Sequence, residues 1–239
     1  PLLLSLGLVI VLALPTLTVR LGFADDGGRP EDSPLRIGYD LLAEGFGPGV
    51  NGPFFVAVEL PEPGDAETVA AAITAFEETT GVASTLPTVP MLPLTVQPDT
   101  TVAAIQVIGE YPPQDEETTK LLNRLREETI PPFEAETGAA AYVGGFQAVT
   151  ADFTTVIVDA LPIFLTVVIG LGFLALVILF RSIVVPITGA VTSVLSLGAA
   201  MGITVAVFQW GWFADLIGVE STGPIFPFLP VMVFAILFG

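Results

Sequence analysis

Charge is missing from four long stretches of this chain. Leu2–Val19, Leu161–Phe180, Ser182–Ala214 and Ser221–Gly239 hold no Asp, Glu, Lys or Arg. A bilayer core takes about 20 apolar residues per spanning helix. The order implied is one membrane helix, a large water-facing domain, then three more membrane helices close together. Such an arrangement points to work done across or inside a membrane.

The remaining charge is concentrated. Only 13% of the 239 residues are charged and 52% are hydrophobic, whereas a soluble protein carries about 25% charged residues. From Arg20 to Thr150 there are 6 bases and 21 acids, a net of −15 out of −18 for the whole chain. The middle of the chain therefore has the composition of a soluble domain, and its flanks are solvated by hydrocarbon. Such acidity argues against nucleic acid, whose phosphates it would repel. The chain has no Cys and no His. Disulfides, thiolate chemistry and imidazole-based zinc sites or general bases are excluded within it, and nothing nominates a catalytic, cofactor-binding or metal-binding residue. Residue 1 is Pro, inside an apolar run, and Phe238-Gly239 lies in another. We read the chain as an internal piece of a longer membrane protein.

Six segments follow. Residues 1–20 form a membrane helix, with Pro15 placed to kink it. Residues 21–152 form the soluble domain, residues 153–181 and 182–208 two further membrane helices, 209–223 an outer interfacial loop, and 224–239 the start of a fourth helix. Within the domain, Leu35–Glu44 reads as a short helix. Phe54–Leu60 is a β-rich run between prolines. Asp65–Thr80 is a helix capped by Asp65 and stopped at Gly81, and Val82–Leu86 is a short strand. Pro87, Pro90, Pro93 and Pro98 mark an irregular connection. In Thr101–Ile108, Ala103, Ile105 and Val107 share one strand face. Asp115–Thr129 is a helix with acids in its first turn and Arg124 and Arg126 late, as the dipole prefers, ended by Pro131-Pro132. Ala139–Val143 is the last strand. The order β-α-β-β-α-β is the ferredoxin-like pattern, so the fold class is a membrane α-helical bundle plus an α+β ferredoxin-like domain.

Arg181 stands between the second and third membrane helices. The positive-inside rule puts that tight hairpin in the cytoplasm and the acidic domain outside. Trp210, Trp212 and Phe213 fit the opposite membrane–water interface.

Three features invite a functional reading. Gly47-Pro48-Gly49-Val50-Asn51-Gly52 matches G-x-G-x-x-G, but a strand must precede that motif and a helix follow it. Here the order is reversed, which makes it a glycine-rich turn. In the third helix Gly189, Ser193, Ser196, Ala200 and Thr204 form a small-residue face, joined by Gly198-x-x-x-Gly202. Small faces let membrane helices approach closely, and a substrate path along this face is the sharper alternative. Asp159 is the acid at the start of the second helix. Acids in membrane segments are functional candidates, so Asp159 is the pathway candidate; the alternative sets it in the headgroup layer.

The segment Tyr39-Asp40-Leu41-Leu42-Ala43-Glu44-Gly45-Phe46-Gly47-Pro48-Gly49-Val50-Asn51-Gly52-Pro53 resembles the entrance of the outer domain in actinobacterial MMPL transporters of the RND superfamily. Val205–Trp212, Glu220–Pro224 and Phe228–Gly239 resemble the end of their third helix, the following loop and the start of their fourth. The resemblance covers nearly the whole chain, in order, and is closer to the second of the two repeats that the family carries. It implies an exporter of hydrophobic or amphipathic compounds, lipids or drugs, driven by the proton gradient and not by ATP. It also implies an outer porter domain, and an Asp-Tyr proton relay beyond Gly239. Its partners would be the bilayer, a small hydrophobic or amphipathic substrate, protons and the remaining repeat. A protein-translocation accessory of the same superfamily would share the layout without the glycine-rich entrance. A membrane-anchored sensor or binding protein would need only one span.

Overall fold

The computed structural model describes residues 2–88, 99–219 and 221–238. Pro90, Pro93, Pro98, Glu220 and Gly239 lie outside the described residues. The chain is mostly helical with one small antiparallel sheet. In chain order the elements are α1 (Leu2–Ala13), α2 (Pro34–Phe46), β1 (Phe54–Glu59), α3 (Ala66–Glu77), β2 (Val82–Thr88), β3 (Val102–Gly109), α4 (Glu116–Arg124), α5 (Ile130–Thr137), β4 (Ala140–Gly144), α6 (Phe146–Phe180), α7 (Val184–Thr204), α8 (Ala214–Ile217) and α9 (Leu229–Phe238). They fall into two compact units, one of residues 25–27 and 31–152, the other of residues 1–24, 28–30 and 153–239.

The first unit is a two-layer α+β domain. Its strands lie in the order β2-β3-β1-β4, with every pairing antiparallel. β1 pairs with β3 through Phe54–Val107 and Val56–Ile105, and with β4 through Val56–Val143 and Val58–Ala141. Alternation does the sorting. Phe54, Val56 and Val58 of β1 and Ala103, Ile105 and Val107 of β3 are buried, whereas Phe55 and Glu59 are exposed. The inward residues share one core with Val69, Ala72 and Phe76 of α3, Leu121 and Leu122 of α4 and Phe133 of α5. Each fully buried Val, Leu or Phe contributes about 1.5–3 kcal/mol before ordering entropy is charged against it.

Local chemistry fixes the helix starts. The Asp65 carboxylate accepts the Thr68 backbone N–H at 3.0 Å and the Thr68 hydroxyl at 2.6 Å. These bonds satisfy helix-end donors and hold the Asp65 carboxyl below the usual carboxylate range. Asp115 caps α4 by accepting the Glu117 N–H at 3.0 Å.

One local expectation fails. Pro131-Pro132 does not end a single helix over Asp115–Thr129. Instead α4 passes through a π-helical turn, Leu125–Thr129, into α5, whose first turn contains both prolines. Proline lacks an N–H, and the first turn of a helix is where a missing N–H is tolerated. Arg126, in that π turn, grips Asp152 with two hydrogen bonds of 2.5 and 2.9 Å.

The second unit holds the apolar helices. Two are long and apolar enough to cross a membrane, Phe146–Phe180 and Val184–Gln209. The second ends in another π turn, Val205–Gln209. On α6, Ile163, Val167, Leu171, Leu174 and Ile178 recur at helical spacing and are all exposed, the stripe expected of a lipid-facing surface. Pro15 converts the end of α1 to a 3-10 helix, Leu14–Thr18. The start near Pro224 expected for the last helix is delayed to Leu229, because Pro224 and Pro227 hold the chain extended or turning there.

Candidate functional site

Helix α7 is the centre of the second unit, and one of its sides is taken by α1. A Cβ added at Gly202 would fall 1.9 Å from the Leu12 carbonyl oxygen, and one at Gly198 would fall 3.1 Å from the Ala13 Cβ. Only glycine permits that approach. The Thr16 hydroxyl donates to the Gly198 carbonyl at 2.7 Å, so a backbone oxygen of α7 is paired across the seam. Met201 and Val205 continue this side and are buried with Ile225, against Leu197, Leu229 and Val233.

Where α1 gives way to extended chain, the backbone loses its helical partners. Gln209 supplies two. Its amide nitrogen donates to the Thr18 carbonyl at 2.8 Å and its amide oxygen accepts the Arg20 N–H at 2.9 Å. The segment before α9 supplies two more, since the Ile225 N–H donates to the Arg20 carbonyl at 2.8 Å and the Gly22 N–H to the Ile225 carbonyl at 2.9 Å. Unpaired backbone groups are costly near hydrocarbon, which explains why an amide sits in an otherwise apolar run. Beside this junction four phenylalanines meet. Phe23 packs edge-on against Phe153 and Phe226, with ring centroids 5.7 and 5.5 Å apart, and Phe228 joins Phe153 and Phe226 at 5.4 and 6.0 Å.

The five residues Gly189, Ser193, Ser196, Ala200 and Thr204 are half-buried. At 100° per residue they run along the side of α7 opposite Gly198 and Gly202. Gly189 stands over Leu176 of α6, with an added Cβ 3.8 Å from its Cδ1, and the Thr204 hydroxyl donates to the Ala200 carbonyl at 2.9 Å. Asp159 is exposed on α6, one turn before Pro162, and makes no hydrogen bond or ion pair among the described residues. Among the described residues no group of three or more carboxylates converges as a metal site would. Gln209 and the phenylalanine cluster are the features that sequence reasoning missed. The signal for Gln209 was an amide alone in a stretch without charge. The cluster had none, because its members come from three distant segments.

The arrangement is that of a helix-packing assembly, with no reacting groups gathered in it among the described residues. The model of the MMPL family matches residues 59–236. The chain belongs to the MMPL family. Among relatives, this MMPL chain is 33% identical over 237 residues to the membrane protein YdfJ of Bacillus subtilis, covering 98% of the chain and 31% of YdfJ. It is 30% identical over 232 residues to the mycolic acid-containing lipids exporter MmpL11 of Mycolicibacterium smegmatis, covering 97% of the chain and 24% of that protein. It is 28% identical over 242 residues to the heme uptake protein MmpL11 of Mycobacterium tuberculosis, covering 97% of the chain and 23% of that protein. The chain thus spans less than a third of the length of these relatives.

Proposed function

We propose that this chain is part of a proton-driven exporter of hydrophobic or amphipathic compounds. The observation that carries the reading is the family match running through both the acidic domain and the apolar helices. In this reading residues 21–152 are an extracytoplasmic, ferredoxin-like porter domain; the strand order β2-β3-β1-β4 and the β-α-β-β-α-β succession support it. Residues 1–20, 153–181, 182–208 and 224–239 belong to a multi-pass bundle, with Arg181 in the cytoplasm and 209–223 outside. The face Gly189, Ser193, Ser196, Ala200 and Thr204 packs against a further helix of the complete protein. The relative named as a lipid exporter supports an amphipathic cargo and outward movement.

Neither α7 nor α9 contains a titratable side chain, so the group that carries protons belongs elsewhere in the complete protein. Alternating access needs two repeats to rock about a shared site, and this chain supplies one side. Asp159 has at most a secondary role, at the edge of the pathway. The test is efflux of a fluorescent amphipath from energised cells making the complete protein. Efflux should stop when a protonophore collapses the gradient, and Asp159→Asn should lower it by about half, far less than the tenfold or greater losses typical of an essential acid–base group. Efflux that survives the protonophore, net inward movement, or complete loss in Asp159→Asn would overturn the reading.

A further inference from the structure

A groove runs between α3 and α5. The Thr79 and Thr129 hydroxyls, 2.8 Å apart, tie the end of α3 to the start of α5, and the rings of Phe76 and Phe133 meet with centroids 6.2 Å apart. The cavity between the two helices measures about 540 Å³, within the usual size of small-molecule sites, about 300–1,000 Å³. Side-chain size leaves it open. At 100° per residue Glu67, Ala71, Ala75 and Glu78 share one side of α3, and all four line the groove. Two methyl groups stand there in place of larger side chains that would close the gap. From α5 the buried Phe133 completes an apolar floor.

Charge is set at the two ends of this floor. Glu78 stands at one end. Glu67 stands at the other, about 16 Å away along the α3 axis at 1.5 Å per residue. Asp65 joins it there, and Glu136, near the end of α5, adds a further carboxylate. No Lys or Arg lines the groove. The ion pairs of the domain lie elsewhere: Arg36 with Asp40, Lys120 with Glu116 and Glu117, Arg126 with Asp152. Asp65 accepts two hydrogen bonds from Thr68, whereas Glu67, Glu78 and Glu136 make no ion pair among the described residues. Carboxylates that face a common groove without a counter-charge repel one another and attract a cation into it.

We infer that this groove binds a slender molecule with a positive charge at each end and an aliphatic middle, the charges about 16 Å apart. The middle lies over Ala71, Ala75 and Phe133, and the ends meet Glu78 and Glu67. A divalent metal ion is disfavoured, because no three carboxylates converge among the described residues. A docked basic helix is disfavoured by its width: at about 10–12 Å across with its side chains, it bridges over the alanine methyls that a single aliphatic chain reaches. The inference concerns binding and does not rest on export.

The test is isothermal titration calorimetry of the complete protein in phosphatidylcholine nanodiscs, with the heat of empty discs subtracted. The probe is 1,12-diaminododecane, whose two ammonium groups span the distance between the acidic ends. The comparator is 1,6-diaminohexane, which carries the same charge and is too short to reach both. Wild-type protein should bind the longer diamine about tenfold more tightly. Glu67→Gln and Glu78→Gln should each weaken it severalfold. Ala71→Leu, which fills the groove and keeps its charges, should bring the longer diamine down to the affinity of the shorter. Circular dichroism checks that each variant is folded, and the two exposed glutamates decide the matter should Ala71→Leu unfold. Equal affinity for the two diamines, no heat beyond that of empty discs, or an affinity indifferent to Glu67→Gln and Glu78→Gln would overturn the inference. The measurement does not read transport, so it can fail while the exporter reading stands, and the reverse.

Discussion

Gly202→Ala should loosen the α1–α7 pair, and the structure sets the size of the effect. The new methyl would lie 1.9 Å from the Leu12 carbonyl oxygen, 3.0 Å from its carbonyl carbon and 3.2 Å from the Ala13 Cα. All three are backbone atoms, which cannot swing aside as a side chain can. Ordinary contact begins at 3.4 Å, so the helices must part by about 1.5 Å. Overpacking of this kind costs about 1–3 kcal/mol. The separation also strains the bond from the Thr16 hydroxyl to the Gly198 carbonyl and the two Gln209 bonds, each worth about 0.5–1.5 kcal/mol. The sum is about 2.5–7.5 kcal/mol if all three bonds are lost. Gly189→Ala is the control, because its methyl finds only Leu176 Cδ1 at 3.8 Å. The assay is thermal unfolding in mild detergent, followed by the fluorescence of Trp210 and Trp212, which adjoin the end of α7. A Gly202→Ala protein that melts with the wild type, or a Gly189→Ala protein that loses as much, would refute the glycine seam as the contact that holds α1.

Gln209→Leu keeps the bulk but leaves the Thr18 carbonyl and the Arg20 N–H without their side-chain partner. It should cost about 1–3 kcal/mol in the same assay, with Gln209→Glu intermediate because it retains only the acceptor. Asp65 gives a pH dependence with a definite sign. Its folded carboxyl titrates below the unfolded value of about 3.9, so its stabilisation is present above that value and is lost as pH falls through the folded one. The midpoint difference between wild type and Asp65→Asn should therefore hold steady from neutral pH to about pH 4 and shrink below it; a difference that grows with acid would contradict the cap.

What was legible in the sequence was what neighbouring residues decide. The α3 helix announces itself through the Asp65 cap and the Val69, Ile73, Phe76 spacing, and β3 through its alternation. The strand order β2-β3-β1-β4 was implied only through the succession of elements, because pairing β1 between β3 and β4 depends on contacts far apart in the chain. The π turn at Leu125–Thr129 was not legible. Two successive prolines read locally as a stop, and it takes Leu125, Ile130 and Phe133 all finding the core to carry the helix past them.

Helix α7 shows the same limit at the site. Its sequence offers small residues on two opposite sides, Gly198 and Gly202 on one, Gly189, Ser193, Ser196, Ala200 and Thr204 on the other. Composition alone cannot rank them, since both satisfy the requirement for close helix approach. The partner decides. The α1 break presents the Leu12 carbonyl, the Thr16 hydroxyl and, one turn on, the unpaired Thr18 carbonyl and Arg20 N–H. Only the side of α7 that reads Gly198, Gly202, then Gln209 after the π turn can meet all of them. The π turn matters here because it takes an extra residue into one helical turn. Deleting one residue of the turn would return it to ordinary α-helix and leave Gln209 where it stands relative to the glycines. A deletion of Ala206 that restores an ordinary α-helix should therefore keep Gln209 paired, and Gln209→Leu should cost as much in the deleted protein as in the wild type. A Gln209→Leu cost that vanishes in the deleted protein would show that the π turn itself is what holds the amide in place.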